Sequence, residues 1–221
     1  GTRAGTVYPI LYTLVKHGYL RKQDDKTYKL GLKFLEKGRL VLDDLNIRNI
    51  AHPELEMLRD KTKETVHLGT LDEEGKVVYL DKVEPKKAIR LYSSIGRRLP
   101  AHTAALGKVL LAYQDERNLN DLIANTKFEQ YTRNTITSPA ELKKELRKIK
   151  KMGYAIDRGE YEEEVRCIAA PIRNHSGQIE NAVNITTVAS STGEEGIKGY
   201  APYLIKCVDS ISEKLGYEED N

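Results

Sequence analysis

Up to Thr62 the apolar residues of this 221-residue chain recur mostly at helical spacing, and from Lys63 they begin to alternate. A helix presents one face every 3.6 residues and a strand every two, so this change of period separates a helical front part from a mixed body. In Thr6–His17, Val7, Ile10, Leu11, Leu14 and Val15 form one helical stripe, and Gly18 stands where a C-terminal cap is expected. Pro9 fits the first turn of that helix if Gly5 or Thr6 is its N-cap. GYLRK and KTYKL then read as two short strands about the polar turn Gln23-Asp24-Asp25. A helix followed directly by a basic hairpin is the second half of a winged helix-turn-helix. The first half needs two more helices, so the chain is expected to begin inside that domain.

Leu32–Thr62 keeps a helix period in two stretches, with Pro53 placed near a helix start. The body opens with ETVHLGTLDEEGKVVYLDKVE, a strand–turn–strand pattern around Glu73-Glu74-Gly75. AIRLYS and RRLP read as further strands, and HTAALGKVLLAY as a helix with Leu106, Val109, Leu110 and Tyr113 on one face. Ser138-Pro139-Ala140-Glu141 is a capping box whose helix buries Leu142, Leu146 and Ile149 and ends at Gly153. Strands follow at YAID, RCIAAPI and ENAVNITTV, with a turn at Asn174–Gly177, and a last helix, Ala201–Leu215, buries Leu204, Val208, Ile211 and Leu215. Hairpins with interposed helices make this body α+β with an antiparallel sheet. The division expected is 1–38 for the winged-helix part, 39–62 for a helical linker and 63–221 for the body.

Charge is unevenly distributed. Residues 1–41 hold nine Lys/Arg against three acids, whereas the rest of the chain holds 27 basic and 30 acidic residues. A basic piece on a mildly acidic body points to a polyanion as partner of the first piece. Arg3, Thr6, Tyr8 and Lys16 on the first helix are the candidates for base and backbone contacts in a major groove. Arg21, Lys22, Lys26 and Lys29 on the hairpin suit phosphate contacts. No run of about 18 apolar residues spans a membrane, the first residues lack a signal-peptide layout, and two cysteines make no disulfide framework. A cytoplasmic location is the expectation.

Catalytic and metal chemistry find little support. Gly107-Lys108 lacks the upstream glycine and following hydroxyl of a phosphate loop, so Gly107 reads as a close packing point and Lys108 as solvated. Cys167 reads as a small buried hydrophobe, since His67, His102 and His175 belong to no nucleophile motif. The histidines have no ligand-pair spacing, and Tyr161-Glu162-Glu163-Glu164 reads as a solvated acidic loop. No enzyme, metal or cofactor is expected.

Several stretches at even spacing resemble the IclR family of transcriptional regulators. These are GTVYPILYTLVKHGYLRKQDDKTYKLGLKFLEKG, ETVHLGTLDEEGKVVYLDKVE, LPAHTAALGKVLLA and GYAIDRGEYEEEVRCIAAPIRNHSGQIENAVNIT. TVYPILY departs locally, being more like the recognition helix of PadR-type regulators. The resemblance implies a truncated winged helix-turn-helix, a helical linker and a GAF-like effector domain, an antiparallel sheet flanked by helices. It further implies a pocket for a small carboxylate, with the Ala105 and Leu106 amides, Asp157, Cys167, Asn184 and Thr186 on its ligand and Leu91, Leu99 and Val165 as its apolar wall. Amides at a helix start carry unpaired donors and a partial positive charge, which is independent support for an anion. Asn184 and Thr186, two apart on a strand, face the same side. The expected partners are double-stranded DNA with a palindromic operator, a small-molecule effector and a second copy, as a homodimer or dimer of dimers. The rival reading is a metabolite-binding module without a DNA role.

Overall fold

The computed structural model describes residues 4–44, 46–85 and 93–218. Two units follow along the chain, Gly1–Asn46 and Ile47–Asn221. The first holds α1 (Ala4–Lys16), the antiparallel strands β1 (Leu20–Lys22) and β2 (Tyr28–Leu30), and α2 (Lys33–Asp44). Gly18 ends α1 in the left-handed conformation at φ +74°, as its position after the stripe predicts. The Gly31 amide donates to the Tyr19 carbonyl at 2.7 Å, and the Tyr19 and Phe34 rings meet edge to face at 5.4 Å. Hairpin and α2 are thereby tied to the end of α1.

Two prolines sit differently from expectation. Because α1 begins at Ala4, Pro9 lies beyond the first turn, and because α3 (Asn46–Thr62) begins at Asn46, Pro53 lies well inside that helix. Each removes one backbone donor from its helix. Ile10 of the α1 stripe is 56% exposed where the pattern predicts burial.

In the second unit one six-stranded sheet runs in the order β5–β4–β3–β8–β7–β6, every neighbour antiparallel. The strands are β3 (Thr65–Leu71), β4 (Lys76–Val83), β5 (Arg98–Pro100), β6 (Ala155–Asp157), β7 (Val165–Ile172) and β8 (Asn181–Val188). The stretch 88–92, most of AIRLYS, is outside the described residues. On one face pack α3, α7 (Glu194–Lys198) and α8 (Ala201–Lys214), where Leu55, Leu204 and Ile211 meet Val66, Leu68, Ile168 and Ile185. Residues 47–62 thus belong to the core of this unit, with Ala51 and Leu55 fully buried. On the other face lie α4 (Ala105–Ala112), α5 (Glu116–Asn125) and α6 (Pro139–Met152).

A bulge on β4 distributes side chains between the faces. Gly69 pairs with Tyr79 but Leu68 pairs with Asp81, leaving Leu80 unpaired. Tyr79 therefore faces α4, while Asp81 faces α3 and is bound there by His52 Nδ1 at 2.5 Å and by Arg48 at 3.4 Å.

The capping box is present in its main part, with Ser138 accepting from the Glu141 amide at 3.3 Å; the Glu141 carboxylate reaches back to the Thr137 amide. Leu142, Leu146 and Ile149 are buried, and Gly153 ends α6 in the left-handed conformation. Leu204, Val208 and Ile211 are buried on α8 as its stripe predicts, and Leu215 is partly so. Two helices have no counterpart in the periodicity reading, α5 and the short α7. The start of α5 carries a local mark, Asp115 capping the Asn118 amide at 2.9 Å.

The helix expected over HTAALGKVLLAY splits into a short 3-10 turn, Ala101–Thr103, an extended Ala104, and α4. Every residue of α4 is buried, so it is covered on all sides rather than along one face. Gly107 is its tightest point: a Cβ there would lie 2.3 Å from the Ala101 carbonyl oxygen, where no side-chain motion could relieve it. Gly107→Ala is expected to destabilise the second unit by about 3 kcal/mol, the upper end of overpacking costs. Urea unfolding checks this, and an unchanged midpoint would contradict the packing.

Candidate functional site

The strand register gathers a polar patch on the α4 face of the sheet. Asp157, Cys167, Thr186 and Thr65 are successive cross-strand partners on β6, β7, β8 and β3, and His67 pairs with Asn184 in the next row. All but Thr65 line a cavity of about 50 Å³ beside the α4 start. Further walls are Tyr79, Ser93, Arg97, Leu99, Thr103, Ala104, Tyr161, Glu162 and Val165. Of the effector-site residues expected from sequence, Asp157, Cys167, Asn184, Thr186, Leu99 and Val165 meet here. Ala104 and Thr103 form the wall next to Ala105 and Leu106, whose buried side chains belong to the core. Leu91 lies outside the described residues.

Hydrogen bonds give the patch a defined polarity. His67 is buried, and desolvation pushes its pKa down to about 4, so the ring is neutral. It stacks on Tyr79 at 4.4 Å, with Nδ1 3.0 Å from Asn184 Oδ1 and Nε2 2.8 Å from Ser93 Oγ. A neutral ring that donates to the Asn184 carbonyl oxygen must accept from the Ser93 hydroxyl. Asn184 Nδ2 and the Cys167 thiol both donate to Thr186 Oγ1, at 3.1 and 3.5 Å. The Thr186 proton is then left for an acceptor in the cavity. Burial, reinforced by Asp157, raises the Cys167 thiol well above its ordinary range, so it is held as a thiol and not as a nucleophilic thiolate.

The first bond within α4 runs from the Lys108 amide to the Ala104 carbonyl at 2.9 Å, so the amides before it have no helical acceptor. Opposite them stands Asp157, whose Oδ1 accepts from the Gly159 and Glu160 amides at 2.9 and 2.8 Å. Lys108 corrects the sequence reading, in which it is solvated. Its side chain is fully buried, donating to the Ile156 carbonyl at 2.8 Å and to Glu160 Oε1 at 2.5 Å. The reason is that α4 has no solvent face. Burial raises the Glu160 carboxyl to about 7 against the pull of Lys108, and raises Asp157 as well. In the acidic loop Glu162, Glu163 and Glu164 are exposed, as expected, yet Tyr161 and Glu162 border the cavity.

In the first unit Tyr8, Lys16, Arg21, Lys22, Lys26 and Lys29 are all exposed. Arg3 and the Thr6 side chain are outside the described residues. Among the described residues no cluster of three or more His, Cys, Asp and Glu could hold a metal ion, and no helix is long and apolar enough to cross a membrane.

The family model for the bacterial transcriptional regulator IclR C-terminal region matches residues 39–213. This chain belongs to the IclR family. It is 36% identical to the HTH-type transcriptional regulator XynR of Escherichia coli K12, with 98% of this chain and 86% of that protein covered. It is 34% identical to KdgR of Dickeya chrysanthemi, with coverage of 97% and 70%. The crystal structure of the Thermotoga maritima IclR superposes with a TM-score of 0.79 at 38% identity, covering 98% and 87% of the two chains. The α+β body with its antiparallel sheet between helices is thus the IclR effector-domain fold, and the family's members are transcriptional regulators.

His67, Tyr79, Ser93, Arg97 and Tyr161 are the site residues that the sequence reading omits. His67 had a usable mark, an imidazole two residues from Thr65 on the Gly69 side of β3.

Two outcomes follow from this chemistry. His67 binds its proton near pH 4 when folded and near 6.5 when unfolded, so between these values only the unfolded chain gains it. Stability is full above about pH 6.5 and falls towards pH 4. The drop from pH 7.5 to 4.5 should be about 2–3 kcal/mol smaller in His67→Gln than in wild type, measured by urea titration; equal drops would mean that His67 is not buried neutral. Lys108→Met should cost about 3–5 kcal/mol by leaving Glu160 buried and unpaired, and adding Glu160→Leu should restore most of it. Paired denaturation curves check this, and a stable single mutant would contradict the buried pair.

Proposed function

We propose that this chain is a ligand-controlled DNA-binding regulator whose effector is a small organic acid. The observation that carries it is the part-open cavity beside the α4 start, lined by Thr103 and Ala104 and by the polar groups of His67, Asp157, Asn184 and Thr186. Helix N-termini favour anions. At about 50 Å³ the cavity takes roughly three to five water-sized groups, which suits a small acid. The ligand set is the Ala105 and Leu106 amides, Asp157, Cys167, Asn184 and Thr186, with Leu91, Leu99 and Val165 as apolar wall. Asp157 serves the ligand as a hydrogen-bond partner away from the anionic end.

DNA is read by residues 1–38, with Arg3, Thr6, Tyr8 and Lys16 on α1 as the groove contacts. Arg21, Lys22, Lys26 and Lys29 on the hairpin hold phosphates, which their exposure allows. Residues 39–62 lead from this part to the sheet of the sensor, their second half, 47–62, being packed in the sensor's own core, and the protein acts in the cytoplasm as a homodimer or dimer of dimers on a palindromic operator. The effector alters DNA affinity by as much as it prefers one arrangement of the protein. The protein carries out no catalysis: the cavity holds Cys167 as a thiol, and the relatives are named as regulators.

The test is a salt-titrated operator-binding assay on the full protein. The logarithm of the affinity should fall linearly with that of salt, by about 0.9 for each phosphate contacted. Lys29→Ala should flatten the slope. Asp157→Ala should abolish the effector response while operator affinity stays within about twofold, well under the tenfold that 1.4 kcal/mol represents. Affinity that ignores salt would leave the rival reading, a metabolite-binding module. Loss of operator binding in folded Asp157→Ala would contradict the separation of sensing from reading.

A further inference from the structure

Tyr79 stands on β4 where the bulge turns it onto the cavity face, opposite Gly69. Its ring stacks on His67 at 4.4 Å, and the residue is only 7% exposed. For packing alone a phenylalanine would fill this space. The residue nevertheless carries a hydroxyl, and among the described residues that hydroxyl has no hydrogen-bond partner. Burial, reinforced by Cys167 and Asp157 against the pull of Arg97, holds the phenol above its ordinary range, so it keeps its proton. Cys167 on β7 and Asp157 on β6 stand on the far side of the cavity floor from β4, so the oxygen they act on faces the cavity.

Most hydroxyl and thiol protons of the wall are already engaged. Ser93 gives its proton to His67 Nε2 at 2.8 Å, Thr103 to the Pro100 carbonyl at 2.9 Å and Cys167 to Thr186 Oγ1 at 3.5 Å. Arg97 is engaged as well, with Glu162 among its partners. Tyr161, the other phenol of the wall, is only partly buried. The buried hydroxyls with a proton to give are therefore those of Tyr79 and Thr186. A buried donor that no protein group accepts from finds its acceptor in what enters the cavity. We propose that Tyr79 is a ligand-reading residue of this cavity, its hydroxyl donating to an oxygen of the bound carboxylate. This rests on the small-acid reading and adds to it a residue whose side-chain hydrogen bond is made only with the ligand present.

The test uses the whole chain at neutral pH and constant ionic strength, with propionate as the probe and dissociation constants from NMR titration. Tyr79→Phe keeps the stack on His67 and has no protein hydrogen bond to lose, so its urea midpoint should match wild type. Propionate should bind it about tenfold less tightly, the loss expected for one hydrogen bond to a charged group. The chain has no tryptophan, so tyrosine absorption is read directly. Propionate should move that absorption to longer wavelength in wild type, as donation from a phenol to a carboxylate does, and most of this shift should be lost in Tyr79→Phe. A lowered midpoint would show that the hydroxyl has a partner within the protein. That result, an unchanged affinity or an unchanged difference spectrum each overturns the role of Tyr79 and leaves the small-acid reading standing. Absence of saturable propionate binding to wild type overturns both.

Discussion

Lys108 places its amino group in a helix that has no solvent face, and the structure around it is arranged to meet that fact. The ammonium finds the Ile156 carbonyl and the Glu160 carboxylate, which bracket Asp157 in sequence. A buried charge without partners is strongly destabilising, so α4 and the 156–160 segment hold each other in place. The turn that follows β6 is then fixed, with its Gly159 and Glu160 amides on Asp157. The cavity lies beside the start of α4 and Asp157, so this ion pair holds two parts of its surroundings in place.

The sheet supplies the rest by register. Because neighbours in an antiparallel ladder face the same side, Asp157, Cys167 and Thr186 form a row although more than twenty residues separate the first from the last. The same alternation sends Ile156, Ile168 and Ile185 to the α3 and α8 face. The β4 bulge breaks this alternation at one place, so that Tyr79 stacks on His67 in the cavity wall while Asp81, two residues on, holds His52 and Arg48 of α3. Cavity wall and α3 anchor are thus neighbours on one strand, facing opposite ways.

Local marks in the sequence match local structure closely. Gly18, the Gly75 turn, the Ser138 cap and the α8 stripe are each decided by residues within one or two turns, where propensity and hydrogen bonding compete with little else. Six of the nine effector-site residues implied by the family resemblance line the cavity, and strand alternation by itself puts Asn184 and Thr186 on one face. What was not legible depends on distant partners. Lys108 looks solvated in a periodic helix, and only the packing of α4 between sheet and α6 shows otherwise. Glu160 looks like one more acid in an acidic loop, and Arg97 like one of two adjacent arginines, until the sheet edges bring their partners to them. Pro9 and Pro53 misled in another way: a proline marks where a helix can start cheaply, but a helix with enough packing continues through it.

An aspartate in the wall of a cavity proposed to take an anion is an apparent contradiction, and the neighbouring Lys108 bears on it. Its ammonium lowers the cost of charge at Asp157 and Glu160, though burial still pushes both carboxyls towards the protonated form. The first turn of α4 adds the positive end of its dipole on the same side. An anion of the proposed kind would meet the start of α4 and the Thr186 hydroxyl. In the proposed small-acid reading the sign of the ligand follows from the backbone at the start of α4, which does not stand out in the chain as a binding motif.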